Sequence, residues 1–414
     1  MKIYVFADWL SDKKHIGTLY VESARGVQNC SFEFSDYWLA EAKQGRISFL
    51  DPDLQNYLGR QYLSDGKSIL GMLSDASPDR WGRTLLQRRE EKTARNENRF
   101  PRKLNDYDYL LGVYDESRMG ALRFKIDPDG QFLDDDAAMT IPPMASLRKL
   151  EAASRAYEAD EGLNDEWIKQ LIAPGSSLGG ARPKASVIDT DGSLWIAKFP
   201  SKHDDYDQGA WEMLAHELAV MCGINTPDAR LEKFSDSGST FLVKRFDRDG
   251  RRRIHYASMM CLLGLSDGDN SRSGNGYLDI IQLIRAYSIQ PKEDLKELFS
   301  RVAFSIAISN TDDHFRNHAF LLSDIGWRLS PAFDINPSAY GNNLSLNINE
   351  TDSRMSMELL RSTADYYSLD DAAAVSIIDN VRNIVLNNWE RLANRRHISR
   401  ESIERLRIAF RDKP

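Results

Sequence analysis

The chain has 414 residues, 42% of them hydrophobic, with a formal net charge of −8 and a pI near 5.5. At roughly 150 residues per domain, this length predicts two or three structural units with sizeable cores. The acidic balance argues against a chain that itself coats nucleic acid or an anionic membrane.

The cysteines and the apolar runs bear on the cellular compartment. Cys30, Cys222 and Cys261 lie far apart and form no Cys-x-x-Cys pair, so neither a disulfide framework nor a zinc knuckle is predicted. No apolar run approaches the ~18 residues of a membrane span. We therefore expect a cytoplasmic protein without membrane contact.

The first part of the chain alternates strand-like and helix-like patterns. Residues 127–143 concentrate acids and prolines without periodicity, which indicates a connector. We therefore predict an amino-terminal α+β subdomain over residues 1–145. Its predicted strands lie near residues 3–6, 16–21, 30–34 and 121–126, and its predicted helices near 81–89 and 107–113.

The remainder of the chain has a sheet-rich part followed by a helical part. Residues 146–250 open with a helical stretch and contain two hairpin signals, Asp191-Gly192 and Asp249-Gly250. Residues 251–414 are mainly helical to near Pro414, apart from a predicted hairpin over 319–329. This order predicts an α+β, two-lobed fold of the protein-kinase type, with a small lobe over 146–250 and a helical lobe over 251–414.

Asp312 and Asn317, followed by Asp334, have the spacing of a phosphoryl-transfer site. Such a site needs a carboxylate to orient the attacking hydroxyl and oxygen ligands to hold magnesium, and an Asp-x4-Asn…Asp pattern supplies both. Asp312, not Asp313, lies five positions before the asparagine. Asp312 is therefore the predicted catalytic residue, and Asp313 is interpreted as a supporting carboxylate of the loop.

Lys198 ends a strand-like run over 194–199, on the face that alternation makes apolar. A buried ammonium group needs an anionic partner. A nucleotide phosphate is one candidate partner and Glu212, in the helical stretch 211–221, is another. The alternative is a lysine that reaches solvent at the end of its strand.

Two other segments are candidates for nucleotide contact. Residues 176–184 include adjacent glycines, which let backbone N–H groups approach phosphate oxygens, although most such pairs are turns. The strand-like run 242–248 either offers its backbone to an adenine edge or is an ordinary charged edge strand. His314 and His318 lack a His-Glu-x-x-His pattern, so we predict that His314 supports the catalytic loop or the nucleotide and not zinc.

These motifs resemble those of the HipA family of serine/threonine kinases, the toxins of bacterial toxin–antitoxin pairs, over nearly the whole chain. Residues 310–317 are similar to the family's catalytic segment, with Arg316 where lysine is common, and residues 330–334 to its metal-binding segment. Similarity extends to the family's phosphate loop, nucleotide-lysine strand, hinge and extra amino-terminal domain, which match residues 177–184, 196–200, 244–248 and the amino-terminal unit.

The resemblance implies a role for each matching residue. Asp312 would be the general base, Asn317 and Asp334 the magnesium ligands, Lys198 the phosphate-binding lysine, and Ser177 a site of inactivating autophosphorylation. Together with Lys198, Asn317 and Asp334, the implied ATP contacts are Gly179, Gly180, Ala181, Arg182, Pro183, Lys184, Lys244, Arg245, Phe246, His314 and Phe333.

The resulting hypothesis is an ATP- and Mg²⁺-dependent serine/threonine protein kinase that acts as a growth-inhibiting toxin. By family analogy its substrate is a cytosolic protein such as an aminoacyl-tRNA synthetase, and its partner is a cognate DNA-binding antitoxin through which alone it reaches DNA. Two alternatives stay open. One is a small-molecule phosphotransferase with the same site logic, and the other is a nucleotide-binding module of a repressor complex.

Overall fold

The structure is a computed structural model that describes residues 1–10, 12–24, 27–44, 49–64, 67–136, 140–159, 171, 180–323 and 326–414. The chain forms two compact units. The first unit comprises Met1–Lys198, Arg245–Ser266 and Leu321–Ile325, and the second comprises Phe199–Lys244, Asp267–Phe320 and Gly326–Pro414. These units group the segments differently from the three domains predicted from sequence, whose boundaries stay a prediction.

An antiparallel sheet forms the amino-terminal part of the first unit. Its strands run in the order β4 (Gln61–Tyr62), β3 (Val27–Phe34), β2 (Lys14–Ala24), β1 (Lys2–Ala7) and β5 (Leu122–Lys125). In the first strand, alternate residues Ile3, Val5 and Ala7 are fully buried, as the period of two requires for a sheet with one packed face.

Helices complete this part of the first unit, and two of them overlap the stretches predicted near residues 81–89 and 107–113. The longest helix begins after Asp79, whose carboxylate accepts a hydrogen bond from the Gly82 backbone N–H and so caps the helix. Its buried positions include Trp81, Leu85 and Leu86. The helices are α1 (Asp36–Lys43), α2 (Gly71–Asp75), α3 (Arg80–Asn96), α4 (Asp106–Leu111) and α5 (Leu147–Glu158).

The rest of the first unit consists of short strands and one helical turn. The predicted hairpin at Asp191-Gly192 is confirmed, with Gly192 at a φ of 83° that favours glycine. The predicted strand over 242–248 is wrong at its end, because strand pairing stops at Lys244 and resumes at Arg248. The elements are β6 (Lys184–Ile188), β7 (Leu194–Lys198), β10 (Arg248–Asp249), β11 (Arg252–Arg253), β12 (His255–Ser258) and α7 (Met259–Leu262).

The second unit is mainly helical. Its central helix starts with Pro291 at the first helical position and buries Leu298, Phe299 and Val302. The helix Asp371–Arg395 packs against the helix Gln208–Met221 and also against this central helix, Pro291–Ala307. The elements are α6 (Gln208–Met221), β8 (Ala229–Ser235), β9 (Gly238–Lys244), α8 (Tyr277–Tyr287), α9 (Pro291–Ala307), β14 (Gly326–Leu329), α10 (Met357–Ser362), α11 (Asp371–Arg395) and α12 (Arg400–Leu406). Strand β13 (Ala319–Ser323) begins in this unit, and its residues from Leu321 onward belong to the first unit.

One expectation about the second unit is wrong. Helical structure does not continue directly after β14, because residues 330–356 form neither a helix nor a strand of the sheets. Hydrogen bonds from the Ala332 N–H to the Asn225 carbonyl (2.8 Å) and from the Ser338 N–H to the Ser309 carbonyl (3.1 Å) hold this irregular segment instead. None of the helices that the structure describes is long and apolar enough to span a bilayer.

Candidate active site

The predicted catalytic loop begins where α9 ends. Ser309 has a φ of 54°, in the left-handed region that ends helices, and the Asn310 N–H donates back to the Ser305 carbonyl (2.8 Å). The loop closes with a 3₁₀ turn over Phe315–Asn317, after which β13 begins at Ala319. A helix and a strand therefore fix both ends of this polar segment.

Asp313 anchors the loop from inside the second unit. Its carboxylate is 4% exposed and accepts hydrogen bonds from the Tyr277 hydroxyl (2.6 Å), the Ser305 hydroxyl (3.0 Å) and His318 Nε2 (2.8 Å). Burial by itself raises the pKa of Asp313, but the His318 charge and these hydrogen bonds outweigh it and hold that pKa below its usual value. Asp313 is thus a structural carboxylate.

Asp312 has the opposite environment, because it is exposed. The Asn317 side-chain Nδ2 donates to the Asp312 backbone carbonyl (3.1 Å), and the Asn317 N–H donates to the His314 carbonyl (2.8 Å). The five-residue spacing found in the sequence therefore corresponds to a closed loop. Its exposed carboxylate can meet a substrate hydroxyl.

The segment that carries Asp334 is held beside this loop. Arg301 of α9 donates to the Ser330 carbonyl (2.7 Å), and the Ser330 N–H donates to the Ala319 carbonyl (2.8 Å). Asn317 and Phe333 line one small cavity of about 20 Å³. The second unit therefore brings the two predicted metal-binding segments together.

Asp334 itself has a φ of 57°, a left-handed conformation that is uncommon for a residue with a side chain and that aspartate tolerates better than most. Residues in such strained conformations persist only where the surrounding structure holds them in place, and they cluster at functional sites. Here the neighbouring Asn336 side chain donates to Asp334 Oδ1 at 3.4 Å.

The donor set of this region suits magnesium better than a transition metal. Because Asn317 Nδ2 donates to the Asp312 carbonyl, Asn317 Oδ1 is not engaged in that hydrogen bond and can act as an oxygen ligand. Mg²⁺ in nucleotide sites commonly takes one or two protein oxygens and completes its shell with phosphates and water. In the described part of the chain, no group of three or more His, Cys, Asp and Glu side chains could hold a metal.

The first unit holds the predicted phosphate-binding lysines. Lys184 of β6 lies directly opposite Lys198 of β7, and both are buried. Lys184 Nζ donates to Asp79 Oδ2 at 2.8 Å, and both of these side chains are only 2% exposed. The Trp81 indole N–H donates to the Lys184 carbonyl (3.0 Å). Asp79, which also caps α3, thus compensates one of two facing lysine charges.

The predicted phosphate loop is described only from Gly180 onward, and Ser177 and Gly179 lie outside the described residues. Gly180 has a φ of 90°, which requires glycine, and it is exposed together with Ala181. Arg182 is half-buried and Pro183 is buried. Roles of these residues in ATP binding stay predictions.

The predicted hinge residues differ from one another. Lys244 reaches Asp228 at 3.6 Å with a partly exposed side chain. The Arg245 guanidinium is fully buried, and it bonds Asp247 Oδ1 (2.9 Å) and the Ser117 carbonyl (2.6 Å) within the first unit. Arg245 therefore serves internal packing with its side chain, and any nucleotide contact would use its backbone, as predicted for this segment.

The remaining predicted residues are placed as follows. Phe246 is half-buried, with its ring 6.4 Å from that of Tyr256. His314 is half-buried in the catalytic loop. Glu212 is buried in α6 of the second unit, whereas Lys198 belongs to the first unit. The Lys198–Glu212 ion pair stays a prediction.

Comparison with known proteins identifies the family. The family model of the HipA-like C-terminal domain matches residues 176–389, which is more than half of the chain. The chain belongs to the HipA family. The matched stretch contains every catalytic, nucleotide-binding and metal-binding residue predicted from sequence.

Relatives and solved structures agree with this membership. Two Sinorhizobium fredii proteins, "Putative kinase Y4mE" and "Putative kinase Y4dM", are 29% and 25% identical over 182 and 186 residues, each match covering 38% of this chain. These matches cover 41% and 44% of the two relatives, so the chain spans about two fifths of their length. A HipA chain from a Shewanella oneidensis HipA, HipB and operator DNA complex is 17% identical, with a TM-score of 0.68 over 99% of this chain and 95% of that one. The likeness confirms the mixed α+β fold class of this HipA-family chain.

Sequence reasoning missed the residues that position the site. Tyr277 and Ser305 bind Asp313 from α8 and α9, and Asp79 binds Lys184 across 105 positions of sequence. No spacing signal links such distant partners. If burial of Lys184 or Asp313 had been predicted, a charged or hydrogen-bonding partner for that side chain would have been expected as well.

Proposed function

We propose that this HipA-family chain is an ATP- and Mg²⁺-dependent serine/threonine protein kinase that acts as a growth-inhibiting toxin. One observation carries the proposal. Asp312 is exposed on a loop that the buried carboxylate of Asp313 holds in place. The Asn317 side-chain Nδ2 closes this loop by donating to the Asp312 carbonyl, which leaves the Asn317 amide oxygen outside that hydrogen bond. Phosphoryl transfer depends mainly on positioning and electrostatics, and this arrangement supplies both.

Each residue then has a defined task. Asp312 accepts a hydrogen bond from the substrate hydroxyl, orients it toward the phosphorus atom and takes up its proton. Asn317 and Asp334 would hold the magnesium ion, which would supply positive charge to the phosphate oxygens. Lys198, a buried lysine of β7, binds the nucleotide phosphates.

The partners follow from the family. The Shewanella oneidensis HipA structure is a complex with HipB and operator DNA. By that likeness we propose a cognate DNA-binding antitoxin for this chain, with DNA reached only through it. We further propose a cytosolic protein substrate, such as an aminoacyl-tRNA synthetase, and autophosphorylation at Ser177. A phosphate dianion there could not share the nucleotide site with ATP phosphates.

Incubation of the purified protein with labelled ATP, Mg²⁺ and a cell lysate tests the activity. We expect a labelled protein band that disappears with EDTA and in Asp312→Asn. The matched control is Asp379→Asn, which removes an exposed carboxylate from α11 of the same unit and should retain labelling. Label that enters only small molecules would support the small-molecule phosphotransferase instead.

Calorimetric titration with ATP and Mg²⁺ tests the separate roles proposed for Lys198 in nucleotide binding and for Asp312 in transfer. Lys198→Ala should weaken nucleotide binding, because it removes a phosphate contact, whereas Asp312→Gln should bind ATP normally and fail to turn over. Equal loss of affinity in both variants would contradict the assigned roles. If Asp312→Gln lost transfer but retained growth inhibition, a non-catalytic nucleotide-binding module would be the better description.

A further inference from the structure

A polar cleft of about 560 Å³ lies in the second unit next to the catalytic loop. This volume falls in the ~300–1,000 Å³ range of ligand sites, but the lining is dominated by hydroxyl and amide groups instead of the apolar side chains of most small-molecule pockets. We call it the polar cleft, and its lining includes Ser271, Arg272, Thr311, Asn343, Ser345 and Thr351.

Hydrogen bonds tie the polar cleft to the catalytic loop. Ser345 Oγ donates to the carbonyl of Thr311, the residue directly before Asp312, at 2.7 Å. The Ser271 N–H donates to the Ser345 carbonyl (2.8 Å), and Asn347 Nδ2 donates to the Ser271 carbonyl (3.2 Å). The wall of the polar cleft is therefore built onto the loop that positions the predicted catalytic carboxylate.

Arg272 is the one charged side chain among the cleft-lining residues. Asn270 fixes its backbone by accepting from the Arg272 N–H (2.9 Å), while the guanidinium makes no salt bridge with any residue that the structure describes. The side chain is exposed. It thus offers planar N–H donors suited to a carboxylate.

Two acidic residues that adjoin the polar cleft in sequence, Asp267 and Asp352, are paired with other arginines. Asp267 Oδ1 lies 3.4 Å from Arg316 Nε, and Asp352 Oδ2 lies 2.6 Å from Arg354 Nη2. Their charges are therefore partly compensated by arginines other than Arg272. The lining of the polar cleft thus carries one positive and no negative side chain, which in a chain of net charge −8 favours an anionic ligand at Arg272.

We propose that the polar cleft is a protein-substrate subsite in which Arg272 binds an acidic side chain close to the phosphorylated Ser or Thr. This inference rests on the proposed kinase function and adds the substrate class, a hydroxyl residue in an acidic sequence context. The hydroxyl and amide groups of the cleft would bind the peptide backbone, and Arg272 would select the charge.

Peptide binding without ATP tests the proposal independently of catalysis. Fluorescence polarisation would compare three labelled peptides with one central serine flanked on both sides by Asp, Ala or Lys residues. We expect wild-type protein to prefer the Asp peptide, and Arg272→Ala to bind it about fivefold more weakly, the loss expected for a solvent-exposed charge pair. Arg272→Glu should prefer the Lys peptide.

The matched control is Arg285→Ala, which removes an exposed arginine of α8 from the same unit and should retain the preference for the Asp peptide. No preference in wild type, or an unchanged preference in both Arg272 variants, would overturn the proposal. A measurement of phosphate transfer to the same peptides separates the proposed kinase function from the proposed substrate subsite. Arg272-dependent binding without any transfer would retain a site for acidic peptides but overturn its role in phosphorylation, whereas transfer indifferent to Arg272 would reject the subsite and leave the proposed kinase function standing.

Discussion

Two adjacent acids, Asp312 and Asp313, should have opposite effects when they are removed. Asp313→Ala leaves the buried Tyr277 hydroxyl, Ser305 hydroxyl and His318 ring nitrogen without their shared acceptor. Each buried group that loses its partner costs about 1–3 kcal/mol. Since the hydroxyls can turn to other acceptors, we expect a loss of about 3–5 kcal/mol in the free energy of unfolding.

Such a loss is measurable as a change in Tm. For a folding unit of roughly 150–250 residues, each kcal/mol shifts Tm by about 2–4 °C, so Asp313→Ala should melt about 10 °C below wild type. Asp312→Ala, which removes an exposed carboxylate, should melt within about 2 °C of wild type while losing phosphate transfer. Asp313→Asn should lie between them, because its amide oxygen can still accept from Tyr277.

Differential scanning calorimetry of the three variants, combined with the transfer assay, distinguishes the roles. An Asp313→Ala variant as stable as wild type would refute the assignment of Asp313 as a structural carboxylate. A large drop in Tm for Asp312→Ala would show that the exposed acid also supports the fold, and the loss of transfer could then no longer be ascribed to chemistry.

Three other outcomes are expected. Asp247→Ala should cost about 3–5 kcal/mol at pH 7, since it strands the buried Arg245 guanidinium. Burial raises the pKa of Asp247, but the charges of Arg245 and Arg248 hold it well below its usual value. A depressed pKa means that its stabilisation is complete above about pH 4 and is lost as the pH falls, so denaturant titrations should show a flatter acid profile for the variant than for wild type. Asp334→Asn should fold normally, because asparagine tolerates the φ of 57°, but should require more Mg²⁺ for transfer in a magnesium titration. Gly209→Ala should lower the urea midpoint despite its better helix propensity, because the added Cβ would lie 2.1 Å from the Ser239 carbonyl oxygen, and overpacking costs about 1–3 kcal/mol.

Much of the local structure followed from sequence pattern. The alternation in β1, the Asp191-Gly192 turn and the apolar face of α9 each depend on residues a few positions apart, so the sequence predicted them. Prediction was poorer at 242–248 and 330–356. Charged and irregular segments lack a period, and their conformation depends on distant partners such as Ser117 for Arg245 and Asn225 for Ala332.

The candidate site also has some features that the sequence predicts and others that depend on the tertiary structure. Sequence alone predicted that Asp312, Asn317 and Asp334 belong to one kind of chemistry, because their residue types and spacing are local properties of the chain. Only the tertiary structure decided which of two neighbouring acids is buried by Tyr277 and which faces solvent. It also decided that Arg272 lies beside the catalytic loop. A buried charge must find its partners wherever folding brings donors together, and that convergence in space leaves no periodic signal in the sequence.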